Sequence, residues 1–250
     1  MSQFETTEMP NFADFSALLA EAFAKNAIKA PTEAESQAFY AFTQHLLTEN
    51  KITNLTAIRD VVGTIYKHYA DSLLADDLIP RGARVLDLGC GPGFPSIPLA
   101  ITRPDLTIIA LDSTSKKIDF LSAAASRLKL TNLTAVHGRA EESDVRRKLG
   151  SFDVVVSRAV SRLNVLCELA LPYAKIGGKL VALKGAKAEE ELVEAKTAIQ
   201  TLGGGESHLH ARILVTPEAE EARGVIEIEK AAPTPAKYPR AYATILKKPL

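Results

Sequence analysis

The segment Val85-Leu-Asp-Leu-Gly-Cys-Gly-Pro-Gly-Phe94 constrains the fold of this chain more than any other. It begins as a buried strand, then places glycines at 89, 91 and 93, a turn stripped of side chains where backbone must approach a ligand. Pro95, and Pro98 after it, suit the first turn of a following helix, where the amide hydrogens they lack would have had no partner inside the helix. The segment therefore reads as a strand, loop and helix junction. A dinucleotide site would need G-x-G-x-x-G, but the sixth position is Phe94 counted from Gly89 and Ser96 counted from Gly91. No G-x-x-x-x-G-K-[ST] phosphate loop occurs anywhere in the chain.

The surroundings of this junction predict an α/β fold. Strands over Arg84–Leu88, Thr107–Leu111, Thr134–His137, Val154–Ser157 and Lys179–Leu183 alternate with helices near Ser96–Ile101, Lys116–Leu128, Arg162–Tyr173 and Glu189–Leu202. Such alternation argues for a mostly parallel sheet with helices on both faces. His208–Val215 and Gly224–Glu229 alternate apolar with polar residues and predict an antiparallel hairpin at the sheet edge, which brings the count to seven strands. Upstream, Phe12–Ala27 has helical spacing, Thr32 and Glu35 have capping-box spacing, and a third helix is predicted over Asp60–Asp77. That last helix buries Val62, Ile65, Tyr69 and Leu73, leaving Lys67, His68 and Asp71 on a face expected to be solvated. The expected organisation is an N-terminal helical extension (1–80), a core domain (81–232) and a basic, proline-containing tail (233–250), extended or disordered.

Composition narrows the setting. With 46% hydrophobic residues in 250, there is apolar material for one large domain. No apolar run is long enough to cross a bilayer, and Phe4–Asn11 is polar and acidic rather than leader-like, so a cytoplasmic protein is expected. Cys90 and Cys167 form neither a C-x-x-C pair nor a zinc spacing, and no metal site is expected. The balance of 30 basic and 30 acidic residues is uneven: residues 1–50 hold seven acidic and two basic ones, leaving 23 acidic and 28 basic in the remainder. That excess is too small for a protein gripping naked RNA mainly through phosphates, so an RNA partner would have to offer shape, or a particle, as well.

The G-x-G-x-G loop preceded by Asp87 is the pattern of S-adenosylmethionine-dependent methyltransferases of the Rossmann-like class. Asp112 closes the second strand, where a carboxylate can accept both ribose hydroxyls. After the third strand, Ala140 and Glu141 can flank the adenine, with Glu141 accepting from its amino group. The substrate class is read from the loop after the fourth strand, Ser157-Arg158-Ala159-Val160. It lacks the [DNS]-P-P-[YFW] signature of exocyclic-amine methylation; the nearby Pro172-Tyr173 follows Leu171 at a helix end. Methylation at pyrimidine C5 needs a cysteine nucleophile, whereas Cys167 sits within a helix and Cys90 within the glycine loop, both read as packing residues. A purine ring nitrogen such as guanine N7 has an exposed lone pair and no proton to lose, so alignment alone could suffice. Three readings stay open on the residues themselves: a guanine-N7 methyltransferase acting on RNA, a small-molecule or protein methyltransferase on the same fold, and a non-catalytic adenosyl-binding module. The first draws on Arg146, Arg147, Lys148, Lys237, Arg240, Lys247 and Lys248 as candidate phosphate contacts.

Over roughly residues 35–230 the chain closely resembles the bacterial ribosomal RNA small-subunit methyltransferase G family, also called glucose-inhibited division protein B. The likeness runs through Asn54-Leu55-Thr56 with Arg59-Asp60, His68-x-x-Asp71-Ser72, the glycine loop with Pro95 and Pro98, Leu111-Asp112-Ser113, Lys116-Lys117-x-x-x-Phe120-Leu121, Arg139-x-Glu141-Glu142, Ser157-Arg158-Ala159 and Ala182-Leu183-Lys184-Gly185. The resemblance implies methyl transfer from S-adenosylmethionine to N7 of a guanine in the 530 loop of 16S rRNA, the guanine at position 527, on a 30S-like particle and by a monomer. It also implies cofactor contacts at Gly89, Gly91, Gly93, Phe94, Asp112, Ala140, Glu141 and Arg158, with Arg158, Asn54, His68, Asp71 and Ser72 at the active-site mouth. Two features depart from the family pattern: the tryptophan usual before Asn54-Leu55-Thr56 is absent, and Ala241–Leu246 replaces a glycine- and proline-containing stretch after Lys237-Tyr-Pro-Arg240.

Overall fold

The computed structural model describes residues 9–250. Residues 1–8 lie outside them, and with these the start of the N-terminal extension and most of the Phe4–Asn11 stretch. Helix α1 (Phe12–Lys25) opens on Asn11, whose side chain accepts the Asp14 amide at 3.0 Å. Helix α2 (Glu33–Thr53) opens on the expected capping box, Thr32 Oγ1 accepting the Glu35 amide at 3.2 Å and the Glu35 carboxylate accepting the Thr32 amide at 2.6 Å. Their apolar stripes meet through Phe15, Leu19 and Phe23 on one side and Phe39, Phe42 and Leu46 on the other, with Phe23 and Phe39 edge to face at 5.7 Å.

The third helix differs from its expectation in form and in environment. Helix α3 (Val61–Gly63) passes without a break into a π-helical turn (Thr64–Ala70) and then into α4 (Asp71–Leu73), ending before a 3-10 turn at Asp76–Leu78. π-Turns are rare and concentrate at functional sites. The face expected to be solvated is largely covered. Lys67 is exposed, but His68 and Asp71 are only 7% and 9% accessible, because the glycine loop and the end of the fourth strand pack on that side.

Five strands, β1 (Arg84–Leu88), β2 (Thr107–Asp112), β3 (Leu133–His137), β4 (Phe152–Arg158) and β5 (Ala174–Lys184), pair in parallel; β6 (Gly204–Val215) and β7 (Glu220–Lys230) form the antiparallel hairpin. The spatial order is β3-β2-β1-β4-β5-β7-β6, an α/β sheet of seven strands. Along β1, Val85 faces the N-terminal helices while Leu86 and Leu88 face the opposite core, as strand alternation requires. Helices α5 (Ser96–Thr102), α6 (Ser115–Arg127), α7 (Ser143–Leu149), α8 (Leu163–Ala170), α9 (Ala188–Glu194) and α10 (Lys196–Thr201) cover both faces. The predicted helix over Glu189–Leu202 is thus two, meeting at Ala195, while α7 is too short and charged to show a period. Beyond β7 the tail is an extended strap that buries Tyr238 and finishes in α11 (Tyr242–Lys247), with Ile245 in the core.

Strand order reverses at β1, whose connections leave to β2 on one side while β4 lies on the other. Open α/β sheets bind ligands outside the carboxyl ends of the strands at such a point. Asp87, Asp112 and Arg158 all sit at those ends.

Candidate active site

The glycine loop is tied down by carboxylates. Asp112 Oδ2 accepts the Gly91 amide at 2.9 Å and its Oδ1 accepts the Thr114 amide at 2.8 Å, so one side chain clamps the loop after β1 to the end of β2. Asp87 lies beneath the loop, fully buried, with Oδ2 accepting the Ser96 amide at 2.9 Å. Its Oδ1 has no partner among the described residues, and burial pushes this carboxyl up to about 7.

The three glycines have distinct surroundings. A side chain on Gly93 would run into Ile97 and Leu121, and one on Gly89 would meet Val160 Cγ2 at 2.3 Å. At Gly91, with φ +55°, nothing lies within 4 Å of a Cβ position, so there the left-handed backbone rather than crowding calls for glycine. Of the three, Gly89 alone lines a cavity of about 310 Å³, with Asp112, Lys117, Ala140, Glu141, Leu169 and Tyr242. This volume lies in the range of small-molecule pockets. Glu141 keeps its carboxylate 3.8 Å from Arg139, and the Ala140 carbonyl accepts the Tyr173 hydroxyl at 3.0 Å. The donor set fits an adenosyl sulfonium: carboxylates for hydroxyls and an amino group, and the Gly89 backbone at the cavity wall.

A second cavity of about 450 Å³ shares Ala159 and Val160 with the first and is lined by Asp71, Arg158, Lys184 and Arg223. Arg158 is its central fixture. One guanidinium nitrogen donates to the Lys67 carbonyl at 2.8 Å and to Asp71 Oδ2 at 2.9 Å, and the other donates to His68 Nδ1 at 3.0 Å. Asp71 Oδ1 accepts from Arg223 Nε at 2.8 Å, and Arg223 in turn holds Glu221 at 2.7 Å. Because arginine only donates, His68 Nδ1 must be the acceptor and the ring proton sits on Nε2, facing Thr56 Oγ1 at 2.8 Å. Burial first, and the Arg158 charge second, hold this imidazole down at about 3. His68 is therefore neutral with its accepting nitrogen already used, so it has no lone pair free to take a proton.

Phe94, expected to touch the cofactor, is buried and lines neither cavity; it packs behind the Arg158 cluster. Its ring stacks on His68 at 4.1 Å and lies under the Arg158 guanidinium at 5.3 Å, while its backbone belongs to the glycine loop. Ser72 is buried beside Asp71, its Oγ without a partner among the described residues. Asn54 stands apart: it is exposed at the end of α2 with φ +51° and accepts from Arg59 at 2.9 Å, with no hydrogen bond to the His68 cluster. Lys184 lines the second cavity, pairing with Glu191 at 2.7 Å. Of the basic residues singled out in the sequence, Arg146 donates to the Tyr238 carbonyl, Arg147 pairs with Asp144 and Arg240 pairs with Glu168, while Lys148, Lys237, Lys247 and Lys248 are exposed. Burial raises the Cys167 thiol to about 12 and that of Cys90 well above its ordinary value, which opposes thiolate chemistry at either.

Thr56, Arg223, Glu221 and Tyr242 were not among the site residues expected from sequence. Thr56 stood within the matched Asn54-Leu55-Thr56 segment, but nothing in the chain links Arg223 to residue 71 except the sheet itself. Among the described residues there is no helix long and apolar enough to cross a membrane and no cluster of three His, Cys, Asp or Glu placed to hold a metal.

Comparison with known proteins adds to this geometry. The family model described as rRNA small subunit methyltransferase G matches residues 35–216. A protein named ribosomal RNA small subunit methyltransferase G from Lactobacillus delbrueckii subsp. bulgaricus is 40% identical over 241 residues, 93% of this chain and 98% of that one. Its namesake from Staphylococcus aureus is 42% identical over 221 residues, 88% and 92% of the two chains. Among solved structures, the fibrillarin pre-rRNA processing protein of Methanococcus jannaschii shares the fold with a TM-score of 0.50 at 15% identity, covering 65% of this chain and 74% of that one.

Proposed function

This chain belongs to the rRNA small subunit methyltransferase G family, and on that premise we propose that it is an S-adenosylmethionine-dependent methyltransferase that modifies N7 of a guanine in the 530 loop of 16S rRNA. The observation that carries this reading is the pair of cavities meeting at Ala159 and Val160, beside a His68 whose accepting nitrogen is already taken by Arg158. When bound, the cofactor supplies an electrophilic methyl group on a sulfonium.

The roles of the chain's own residues follow from their chemistry. Asp112 is the ribose partner, Glu141 the acceptor for the adenine amino group with Ala140 against the ring, and Gly89 the stretch of backbone on which the methionine part rests. On the other side Arg158, held by Asp71 and His68, forms a rigid cationic wall that orients a guanine. Guanine N7 brings its own lone pair and releases no proton, so the neutral, fully bonded His68 is compatible with the reaction: it positions and does not titrate. Fixing nucleophile and electrophile in line can supply about 7–11 kcal/mol of a barrier, the kind of contribution a preorganised wall makes. We place the enzyme in the cytoplasm as a monomer acting on a 30S-like particle, with the helices before residue 80 forming the mouth of the site over the 81–232 core.

The test is methyl transfer from labelled S-adenosylmethionine to intact small subunits, free 16S rRNA and protein extract, followed by location of the modified base. Label on a guanine N7 of the 530 loop is expected. Label in protein alone, or at an exocyclic amine, overturns the proposal.

A further inference from the structure

The C-terminal arm lies outside residues 35–216, which the family model matches, and its sequence gave no reason to expect it near the cofactor cavity. The structure brings it there by a specific anchor. Glu168 on α8 is completely buried, and its carboxylate accepts three hydrogen bonds from one residue of the arm: the Arg240 amide and Nε at 2.8 Å each, and Nη2 at 2.6 Å. A buried carboxylate is costly unless paired and fully hydrogen-bonded, so this pairing specifies where the arm must sit. Arg146 reinforces it by donating to the Tyr238 carbonyl at 3.1 Å, and the Tyr238 ring and Ile245 side chain are buried on either side of the anchor. Helix α11 begins two residues after Arg240, and its first residue, Tyr242, packs partly on the α8 core while lining the same cavity as Asp112, Ala140, Glu141 and Leu169.

We propose that Tyr242 is a cofactor-contacting residue, its ring forming the outer wall of the adenosyl pocket at the adenine end, and that Arg240 and Glu168 position it. The inference rests on the reading of this cavity as the S-adenosylmethionine site. A purine presents a flat π-face that any aromatic ring of suitable placement can cover, and Tyr242 is the aromatic side chain that lines this cavity. The arm therefore acts as a part of the cofactor site.

Calorimetric titration of the full chain with S-adenosylhomocysteine tests this, alongside a fluorescence readout independent of turnover. Tyr242→Ala should bind about tenfold more weakly, within the range for a base stacked on an aromatic ring, whereas Tyr242→Phe and Tyr242→Trp should stay within about twofold of wild type. The chain has no tryptophan, so Y242W carries a sole reporter whose emission should change saturably at the calorimetric Kd. Arg240→Ala should weaken binding by no more than Y242A and add little to it in the double variant, as expected of a residue acting through Tyr242. Unchanged affinity in Y242A, or a silent tryptophan in a Y242W protein that binds by calorimetry, overturns the inference while leaving the adenosyl site standing. Should Y242A fail to fold, the Y242W emission still decides. No binding by the wild-type chain overturns the adenosyl reading and this inference with it.

Discussion

The two halves of the site are built on opposite plans. The cradle after β1 is a short contiguous loop held open by glycine and clamped by Asp112, with an oxygen of buried Asp87 left unpaired. The mouth is assembled from residues far apart in sequence, and apart from the unpaired Ser72 hydroxyl its hydrogen-bonding capacity is used internally: Arg158 serves Lys67, His68 and Asp71, and Asp71 serves Arg158 and Arg223. A loop with unspent valence is suited to take up a ligand, and a saturated network is suited to hold a shape. Their electrostatics diverge accordingly, Asp87 being pushed up and His68 down by the same desolvation acting on groups of opposite charge type.

The largest expected effect separates these plans by pH. Between its ordinary value and about 7, native Asp87 keeps a proton that the unfolded chain has released. Its contribution to stability is thus complete in acid and fades as pH rises to about 7, on the order of 4 kcal/mol across the window. Urea melts of Asp87→Asn and wild type from pH 4 to 8 should diverge by that slope, and parallel curves would break the comparison on the cradle side. His68 runs the other way, its contribution being lost as pH falls from its ordinary value towards about 3.

Next comes Arg158→Ala, which strips the mouth of its centre. With Asp71 still held by Arg223, a loss of about 2–4 kcal/mol of stability is expected, together with loss of turnover. Arg158→Lys should recover part of the stability but not the turnover, because an ammonium cannot meet three partners in the same plane. Full activity in either variant would show that the network does not shape the guanine side.

Asp112→Ala should weaken cofactor binding by about 1.5–3 kcal/mol through a lost acceptor, and should also lower the thermal melt of the apo chain, because the Gly91 and Thr114 amides lose their partner. Calorimetry giving wild-type affinity would remove Asp112 from the ribose. The smallest effect is expected for Thr56→Val, which leaves His68 Nε2 without its acceptor and should cost about 1 kcal/mol of stability. A melt unchanged to within error would mean that water replaces the hydroxyl and that the tautomer is not fixed from that side.

Legibility in the sequence followed the same division. Asp87, the glycine loop, Asp112, Ala140 and Glu141 lie where strands end, and the alternation of strands and helices located those ends to within a residue or two. The mouth was legible only in part. His68 and Asp71 sit on a helix whose hydrophobic period assigned them to solvent, since a period reports one buried stripe and cannot register a second surface arriving from the glycine loop. The π-turn left no mark either, because i→i+5 pairing answers to packing rather than to residue type.

The sequence by itself determined the α/β class, the strand that ends in the cradle and the carboxylate one strand away, because backbone sterics and hydrophobic period act between near neighbours. Tertiary structure alone decided which distant charges share a bond: Arg223 reaches Asp71 through the placement of β7 beside β5, and Tyr242 reaches the cavity through a buried Glu168. Burial makes such pairings obligatory, since a charge removed from water must find its partner wherever the fold has put it.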